Sequence, residues 1–215
     1  FEAAMKHLAH QQVLVLGLGD SGLAMAAWVA RHGGAVTVWD SRENPPQAQA
    51  LSERVPEAKR LSGELPVSAM DGVQLLLKSP GLAPHDARLA AAFARAGEMG
   101  VLVHGELDLF QHALRDLKAE RGYAPKVLAI TGTNGKTTTT SMTAQLIERT
   151  GARVVMAGNV GPTMLDTLAK VLDLEPADSP NPPPQVGEGT ETPSPTEWES
   201  VGVQADAELL IEPTA

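Results

Sequence analysis

The clearest chemistry in the sequence is that of residues 131–137, TGTNGKT, which have the composition of a phosphate-binding loop. Glycines allow backbone N–H groups to surround phosphate oxygens, Lys136 can reach the outer phosphates of a nucleotide, and Thr137 can bind Mg²⁺. Ile130 stands where the usual G-x-x-x-x-G-K-[ST] pattern has its first glycine, but the half that contacts phosphate is complete. The alternative, a threonine-rich start of an ordinary helix, leaves the Gly-Lys-Thr order without a packing reason.

A second glycine turn, GLGDSG at 17–22, follows an apolar segment and precedes an alanine-rich one. In this G-x-G-x-x-G pattern the glycines permit a tight turn, and the N-terminus of the following helix attracts a diphosphate. Asp40 ends the next apolar segment about 20 residues later, where a carboxylate can accept a hydrogen bond from a ribose hydroxyl or a base. The pattern predicts nucleotide binding without selecting the nucleotide. The alternative is that the glycines serve only close packing of helix on strand.

Two shorter turns also follow apolar segments, SPG at 79–81 and GNVGP at 158–162. Ligands of open α/β sheets bind at the carboxyl ends of the strands, so both turns are candidate walls of a binding site. Each is also an ordinary turn sequence, in which Asn159 would only tolerate a left-handed conformation.

The segments between these turns alternate between strand and helix patterns. Short apolar runs predict buried parallel strands, and apolar residues every three to four positions predict helices. In the first part of the chain we predict strands at 13–16, 36–40, 73–77 and 101–103, and helices at 23–31, 86–96 and 106–118. Gly97 is expected to stop the second helix, and Glu106 and Asp108 stand at the favourable end of the third. We interpret residues 1–122 as a Rossmann-like α/β domain with a doubly wound parallel sheet, bounded by a polar link at 119–125.

Residues 125–215 begin a second α/β unit around the TGTNGKT loop, which we interpret as an incomplete P-loop ATP-binding domain. Strands are predicted at 126–130, 153–156 and 207–211, and a helix at 136–150, with Met142, Leu146 and Ile147 clustered on it. Residues 175–200 hold seven prolines among polar residues. Such a composition buries too little apolar surface to offset its ordering entropy, so a disordered insertion is predicted there.

Composition excludes several classes of function. The 215 residues include no cysteine, so disulfides, thiolate metal sites and cysteine nucleophiles are excluded. No apolar run approaches about 18 residues, and the N-terminus lacks an apolar signal core, so neither membrane insertion nor export is expected. Residues 173–215 contain ten acids and no Lys or Arg, which leaves 1–172 with 16 acids against 17 bases. No basic patch suited to nucleic acid is present.

Taken together, the motifs resemble one family. TGTNGKTTT, GNVGP, GLGDSG, KSPG and GELDLF, in their positions along the chain, are similar to the Mur ligases, and within them to the members that add D-glutamate. The loop without the first glycine is that family's own form. The resemblance covers about residues 8–172.

The resemblance implies ATP-dependent amide-bond formation in the synthesis of peptidoglycan precursors, and hence a part in cell shape and division. ATP would phosphorylate the carboxylate of UDP-N-acetylmuramoyl-L-alanine, and the amine of D-glutamate would then attack the acyl phosphate. The cofactors implied are ATP and Mg²⁺, the location is cytoplasmic, and a monomer is expected.

The resemblance also implies site residues. The ATP phosphates would be held by Gly132, Thr133, Asn134, Gly135, Lys136, Thr137 and Thr138. Lys136 would be the catalytic residue, and Thr137 would bind the metal ion. The UDP substrate would be held by Gly19, Asp20, Ser21, Asp40, Ser41, Arg42, Ser79, Pro80, Gly81 and Asn159.

The chain also departs from the family pattern. The Glu-x-Ser-Ser-[FY]-Gln segment expected after the next strand reads here as 210–215, LIEPTA, so no metal role is carried over to Glu212. The D-glutamate site and the C-terminal domain are expected to be absent, which predicts a truncated member that is inactive alone. The rival interpretations are a non-catalytic UDP-sugar-binding module, an NAD-dependent oxidoreductase, and a P-loop phosphotransferase or folate-type ligase.

Overall fold

The first five strands form one sheet in which every neighbouring pair is parallel. The computed structural model describes residues 6–83, 85–158, 162–174 and 207–212. The strand order is β3-β2-β1-β4-β5. The strands are β1 (Gln12–Leu16), β2 (Ala35–Asp40), β3 (Lys59–Ser62), β4 (Leu75–Lys78) and β5 (Leu102–His104). The predicted doubly wound α/β fold of this part is therefore confirmed.

Helices connect these strands and continue into the second unit. They are α1 (Asp20–Arg31), α2 (Ala48–Arg54), α3 (Ala90–Met99), α4 (Glu106–Arg121), α5 (Lys136–Glu148) and α6 (Met164–Leu174). Short 3-10 turns lie at Lys6–Leu8, Val67–Met70 and Ala87–Leu89.

Both faces of the parallel sheet are buried. Successive side chains of a strand point to opposite faces, so each strand contributes to two clusters. Val13 and Val15 of β1 pack in a cluster with residues of α1 and α4. Leu14 and Leu16 pack on the other face, with Leu89 and residues of α3. Continuous apolar runs such as that of β1 are what a strand covered on both sides requires.

The strand order reverses between β1 and β4, since the chain moves outward from β1 to β2 and β3 and then returns to β4 on the other side. The carboxyl ends of these two strands lead into Gly17 and Ser79. Such a switch point leaves a crevice at the carboxyl edge of the sheet, where open α/β proteins bind ligands.

A second sheet has the order β6-β8-β7, with β6 at Lys126–Ala129, β7 at Arg153–Gly158 and β8 at Ala207–Glu212. β8 pairs antiparallel with both neighbours, so β6 and β7 run in the same direction as each other. Their carboxyl ends therefore open on one edge of this sheet. The loop after β6 and the turn after β7 begin at that edge.

The last helix, α6, packs on the core of the first sheet. Leu165, Leu168, Val171 and Leu172 belong to the same buried cluster as the α1 and α4 side chains. Two ion pairs reinforce the contact, with nitrogen–oxygen distances of 2.7 Å for Arg31–Asp173 and 2.5 Å for Arg54–Asp166.

Several elements differ from the sequence-based expectation. Gly97 does not stop α3, which runs on to Met99 and ends at Gly100 in a left-handed conformation with φ +67°. Packing of Ala92 and Ala96 outweighs the roughly 1 kcal/mol helix penalty of an internal glycine.

The residues predicted to cluster on α5 do not form a buried face, because Met142 and Leu146 are 60% and 61% exposed and Ile147 is half-buried. Thr140 and Ala144 are the buried residues of that helix. Three elements, α2, β3 and α6, were not predicted. β3 is a polar edge strand and α2 buries only Leu51, so both lack a strong apolar pattern. The predicted insertion at 175–200 lies outside the described residues.

Candidate functional site

A cavity of about 440 Å³ opens at the carboxyl edge of the parallel sheet, at the switch point. This volume lies within the range of small-molecule sites. Its wall is formed by Gly17, Leu18, Gly19, Asp20, Ser21, Asp40, Ser41, Arg42, Ser79, Pro80, Gly81, Leu82, Arg88, Gly158 and Thr163. Nine of the ten predicted UDP-substrate residues are in this wall. The tenth, Asn159, lies outside the described residues.

The three glycines of the first turn have different structural reasons. Gly17 has φ +88°, a left-handed conformation that few other residues adopt. A Cβ on Gly22 would come within 2.0 Å of the Gly17 carbonyl oxygen, so close packing of helix and turn demands glycine there. A Cβ on Gly19 would meet nothing within 4 Å. Backbone conformation therefore explains Gly17 and packing explains Gly22. Gly19 is the N-cap of α1, and the absence of a Cβ there also leaves room for a ligand.

The carboxylate of Asp40 ties the end of β2 to this glycine turn. Oδ2 accepts a hydrogen bond from the Leu18 N–H at 2.8 Å and from Arg42 Nη2 at 2.8 Å. Oδ1 accepts from the Arg42 N–H at 3.0 Å and from Arg42 Nε at 2.8 Å. The Arg42 guanidinium and these N–H groups hold the pKa of Asp40 well below its ordinary value.

These bonds bear on the predicted role of Asp40. A carboxylate offers about four acceptor positions, and all four are used within the protein. A ribose hydroxyl would therefore have to displace Arg42. That Asp40 contacts a ligand directly stays a prediction, while its part in shaping the turn is visible in the structure.

The SPG turn after β4 is held in place by hydrogen bonds from two side chains, those of Ser79 and the preceding Lys78. The Ser79 hydroxyl, 7% exposed, donates to the Gly17 carbonyl oxygen at 3.1 Å. Lys78 Nζ donates to the Leu82 carbonyl oxygen at 2.7 Å. The two turns that flank the switch point therefore form one connected wall.

Arg88 is a wall residue that sequence reasoning missed. Its Nη1 donates to the Ser41 hydroxyl at 2.8 Å, and its Nη2 pairs with Asp86 Oδ2 at 2.5 Å. The side chain thus spans from the segment before α3 to the end of β2, and it is half-exposed at the cavity. The only local signal is the Asp-x-Arg spacing, which gives no indication that Ser41 lies 47 positions away in a contact.

The second unit completes the cavity through the ends of the turn after β7. Gly158 and Thr163 both line the wall. The Gly158 N–H donates to the Pro162 carbonyl oxygen at 3.0 Å, which draws the two ends of the turn together.

The TGTNGKT loop joins β6 to α5 on the surface. Gly135 caps α5 with φ +78°, and no side chain caps that helix. Lys136 Nζ folds back to donate to the Gly132 carbonyl oxygen. Thr131 through Gly135 are exposed. The first-turn N–H groups of α5 and an ammonium group thus lie around an open loop, the arrangement that an anionic phosphate chain requires.

None of the seven predicted ATP-binding residues lines the cavity. The loop and the cavity nevertheless share the carboxyl edge of the second sheet, since the loop follows β6 and the Gly158 turn follows β7. β8 is the one strand between them, so β6 and β7 lie roughly 10 Å apart.

The side chains near the TGTNGKT loop offer few ligands for Mg²⁺. Among the residues the structure describes, no three His, Cys, Asp or Glu side chains are grouped to hold a metal ion. Mg²⁺ that accompanies a nucleotide needs only one or two protein oxygens besides phosphate and water. Thr137, exposed in the first turn of α5, offers one such hydroxyl. The loop fits Mg²⁺ that arrives with a nucleotide.

No helix in the described ranges is both long enough and apolar enough to span a bilayer.

Comparisons with known proteins point to one family. Residues 11–101 match the model of the Mur ligase MurD-like N-terminal domain, and residues 130–179 match that of the Mur ligase middle domain. Together the two models cover more than half of the chain.

Curated relatives agree. The UDP-N-acetylmuramoylalanine--D-glutamate ligase of Ralstonia nicotianae is 52% identical over 166 residues, which are 77% of this chain and 33% of that protein. The ligase of the same name from Albidiferax ferrireducens is 52% identical over 170 residues, 78% of this chain and 33% of its own. The chain spans about a third of the length of these relatives.

Among solved structures, a pseudomurein peptide ligase type C from Methanothermus fervidus aligns over 70% of this chain and 28% of its own. The identity is 21% and the TM-score is 0.40, a similarity too low to support an argument.

Proposed function

The chain belongs to the Mur ligase family, and from that premise we propose that it takes part in the ATP-driven joining of D-glutamate to UDP-N-acetylmuramoyl-L-alanine. The reaction would contribute a peptide bond to a peptidoglycan precursor. ATP and nucleotide-linked sugars are cytoplasmic metabolites, so the proposed location is the cytoplasm. The D-glutamate site is not assigned to residues of this chain.

One observation carries the proposal: the cavity at the switch point has an open position at Gly19 beside the start of α1. No side chain caps α1, so its first N–H groups and its partial positive charge remain available to a diphosphate. Nine of the ten residues predicted to hold the UDP substrate, Gly19 among them, line the same cavity. The two guanidinium groups at the cavity, of Arg42 and Arg88, suit an anionic ligand.

In the proposed reaction a carboxylate oxygen of the UDP substrate attacks the γ-phosphorus of ATP, and ADP leaves. The amine of D-glutamate then attacks the acyl carbon, and phosphate leaves with the electrons of the broken C–O bond. The TGTNGKT loop would hold the ATP phosphates through its N–H groups, and Lys136 would stabilise the charge on the transferred phosphoryl group. Thr137 would hold Mg²⁺, which neutralises phosphate charge when bound.

Two features disfavour the NAD-dependent oxidoreductase. Asp40, the acidic residue that would hold a ribose, already uses its acceptor positions on Leu18 and Arg42. A dehydrogenase function would also leave the second phosphate-binding loop, after β6, without a role.

Calorimetric titration of the 215-residue chain with UDP-N-acetylmuramoyl-L-alanine tests the proposal, and NAD is the parallel control. We expect saturable binding of the UDP ligand and none of NAD. Binding of NAD alone would overturn the proposal for the first domain. UMP and UDP as further ligands would show how much of the affinity comes from the diphosphate.

A further inference from the structure

Glu106, the first residue of α4, is a buried carboxylate that joins three helices. It is 7% exposed. Its Oε1 accepts a hydrogen bond from the Leu165 N–H at 3.1 Å. Burial raises the pKa of this carboxyl, and the Ser21 hydroxyl and the Met164 N–H oppose that rise. Met164 and Leu165 begin α6, and Ser21 lies in the first turn of α1.

Glu106 is not needed to cap its own helix. Asp108 does so, because its Oδ2 accepts from the Gly105 N–H at 2.7 Å. Sequence reasoning gave both acids the same place at the start of α4, but only Asp108 serves that helix end. A carboxylate kept out of water must be compensated by hydrogen bonds, and here the donors come from α6 and α1.

The residues whose polar groups face Glu106 lie in or next to opposite walls of the cavity. Ser21 lines the cavity from the first domain, and Thr163, directly before α6, lines it from the second unit. Glu106 itself is not in the wall. From this arrangement the geometry points to Glu106 as a positioning residue, which holds the start of α6 against α1 so that Thr163 faces the UDP ligand. The inference rests on the proposed function.

The other contacts of α6 make the effect local. Leu168 and Val171 remain buried on the first core, and the Arg54–Asp166 and Arg31–Asp173 pairs do not involve Glu106. Asp166, a like charge that acts on Glu106, is paired with Arg54. Loss of the Glu106 carboxylate should therefore free the first turn of α6 without detaching the helix.

The test compares Glu106→Ala and Glu106→Gln in the full chain, with Glu120→Gln on the exposed face of α4 as the matched control. Hydrogen exchange of residues 163–168 and of β1 is measured without ligand, and affinity for UDP-N-acetylmuramoyl-L-alanine is measured by calorimetry. We expect the alanine variant to exchange faster at 163–168 but not at β1, and to bind the ligand about tenfold more weakly. Glutamine keeps one acceptor oxygen and should restore most of both, while E120Q should behave as the wild type.

Equal acceleration at β1 and at 163–168 would mean that Glu106 only supports general stability, and unchanged affinity in E106A would also overturn the inference. If E106A does not fold, Glu106→Asp replaces it. The shorter side chain keeps the charge but withdraws its oxygens from Leu165 by the length of one methylene group, so this variant should bind the UDP ligand more weakly than the glutamine variant. A wild-type chain that binds no UDP ligand would refute the proposed function, and with it the effect of Glu106 on ligand binding. Hydrogen exchange would still show whether Glu106 anchors α6.

Discussion

At the scale of single residues, the charged side chains of the cavity are mostly engaged with each other. Asp40 is satisfied by Arg42, and Asp86 by Arg88. Arginine suits both roles, since its planar fork can hold a carboxylate and still present N–H groups to a ligand. The charges of the wall are therefore set in place before any ligand arrives.

The stability supplied by Asp40 should depend on pH. Its folded pKa is depressed, mainly by the Arg42 guanidinium, so its contribution is complete above the unfolded value of about 3.9 and declines as the pH falls toward the folded value. We expect Asp40→Asn to lower the free energy of unfolding by about 1–3 kcal/mol at pH 7, because a charge-assisted acceptor is lost. In urea unfolding, the difference in free energy of unfolding between the wild type and the variant should stay constant down to about pH 5 and become smaller below pH 4.

Exposed Asp71 supplies the control for that measurement, since Asp71→Asn should leave the urea midpoint unchanged. An Asp40→Asn protein as stable as the wild type at pH 7 would show that the carboxylate bonds add nothing to folding.

Arg88 should matter for binding more than for folding, because its guanidinium is half-exposed and surface ion pairs contribute at most about 1 kcal/mol. We expect Arg88→Ala to weaken binding of the UDP ligand by about 5- to 30-fold in calorimetry, the loss of one charge-assisted contact. Arg95→Ala is the matched control, since Arg95 pairs with Glu98 on α3 and does not line the cavity. Equal affinities of the two variants would remove Arg88 from the binding surface.

At the scale of elements, the unit that matters is β1, the glycine turn and α1. The turn is held by the Gly17 N–H, which donates to the Trp39 carbonyl oxygen at 2.7 Å, and by Ser79 from β4. These bonds make the turn rigid before a ligand binds. The glycines of the turn have different roles, since Gly19 faces the cavity and Gly22 packs against the Gly17 backbone.

A pair of alanine variants tests that division of roles. Gly22→Ala places a Cβ 2.0 Å from the Gly17 carbonyl oxygen and should destabilise the fold by about 1–3 kcal/mol in urea unfolding. Gly19→Ala meets no atom within 4 Å and has an extended backbone with φ −96°, so its stability should not fall. Its methyl group would stand in the cavity, and affinity for the UDP ligand should drop. A destabilised Gly19→Ala protein with normal affinity would contradict the proposed orientation of the turn.

At the scale of the whole molecule, burial is uneven. Strand β1 has Val13 to Leu16 at most 2% exposed, whereas Val127 of β6 is 39% and Met156 of β7 is 42% exposed. Helix α5 presents Met142 and Leu146 to solvent. In contrast, α6 follows β7 in the chain but shares the core of the first sheet. Cooperative units should follow these contacts rather than chain order.

The rates of hydrogen exchange should therefore differ between parts of the chain, and the slow and fast parts should not follow chain order. We expect amides of residues 126–157 to exchange roughly 10 times faster or more than those of β1 and β2, because few buried contacts oppose local opening. Amides of 167–172 in α6 should be protected like those of α1. Uniform strong protection across 126–172 would mean that the second unit is as stable as the first.

Local sequence patterns were enough to predict strands β1, β2, β4 and β5, helices α1, α3 and α4, and both phosphate-type loops. These features are local: an apolar run, a glycine that must adopt φ +88°, and a Gly-Lys-Thr helix start each act within a few residues. The positions at the carboxyl ends of β1, β2 and β4 were predicted for the same reason, since parallel strands bring those ends to one edge.

Which of these residues come into contact, and with which others, depends on the tertiary fold. Arg88 reaches Ser41 across 47 positions, and Glu106 reaches Leu165 across 59, distances over which no local pattern carries information. Helix α6 was not predicted, and its place on the first core depends on apolar surfaces of α1 and α4 that form only when the sheet has folded. Burial is non-directional and sums over the whole molecule, so contacts between distant segments are settled by the fold and not by the motifs.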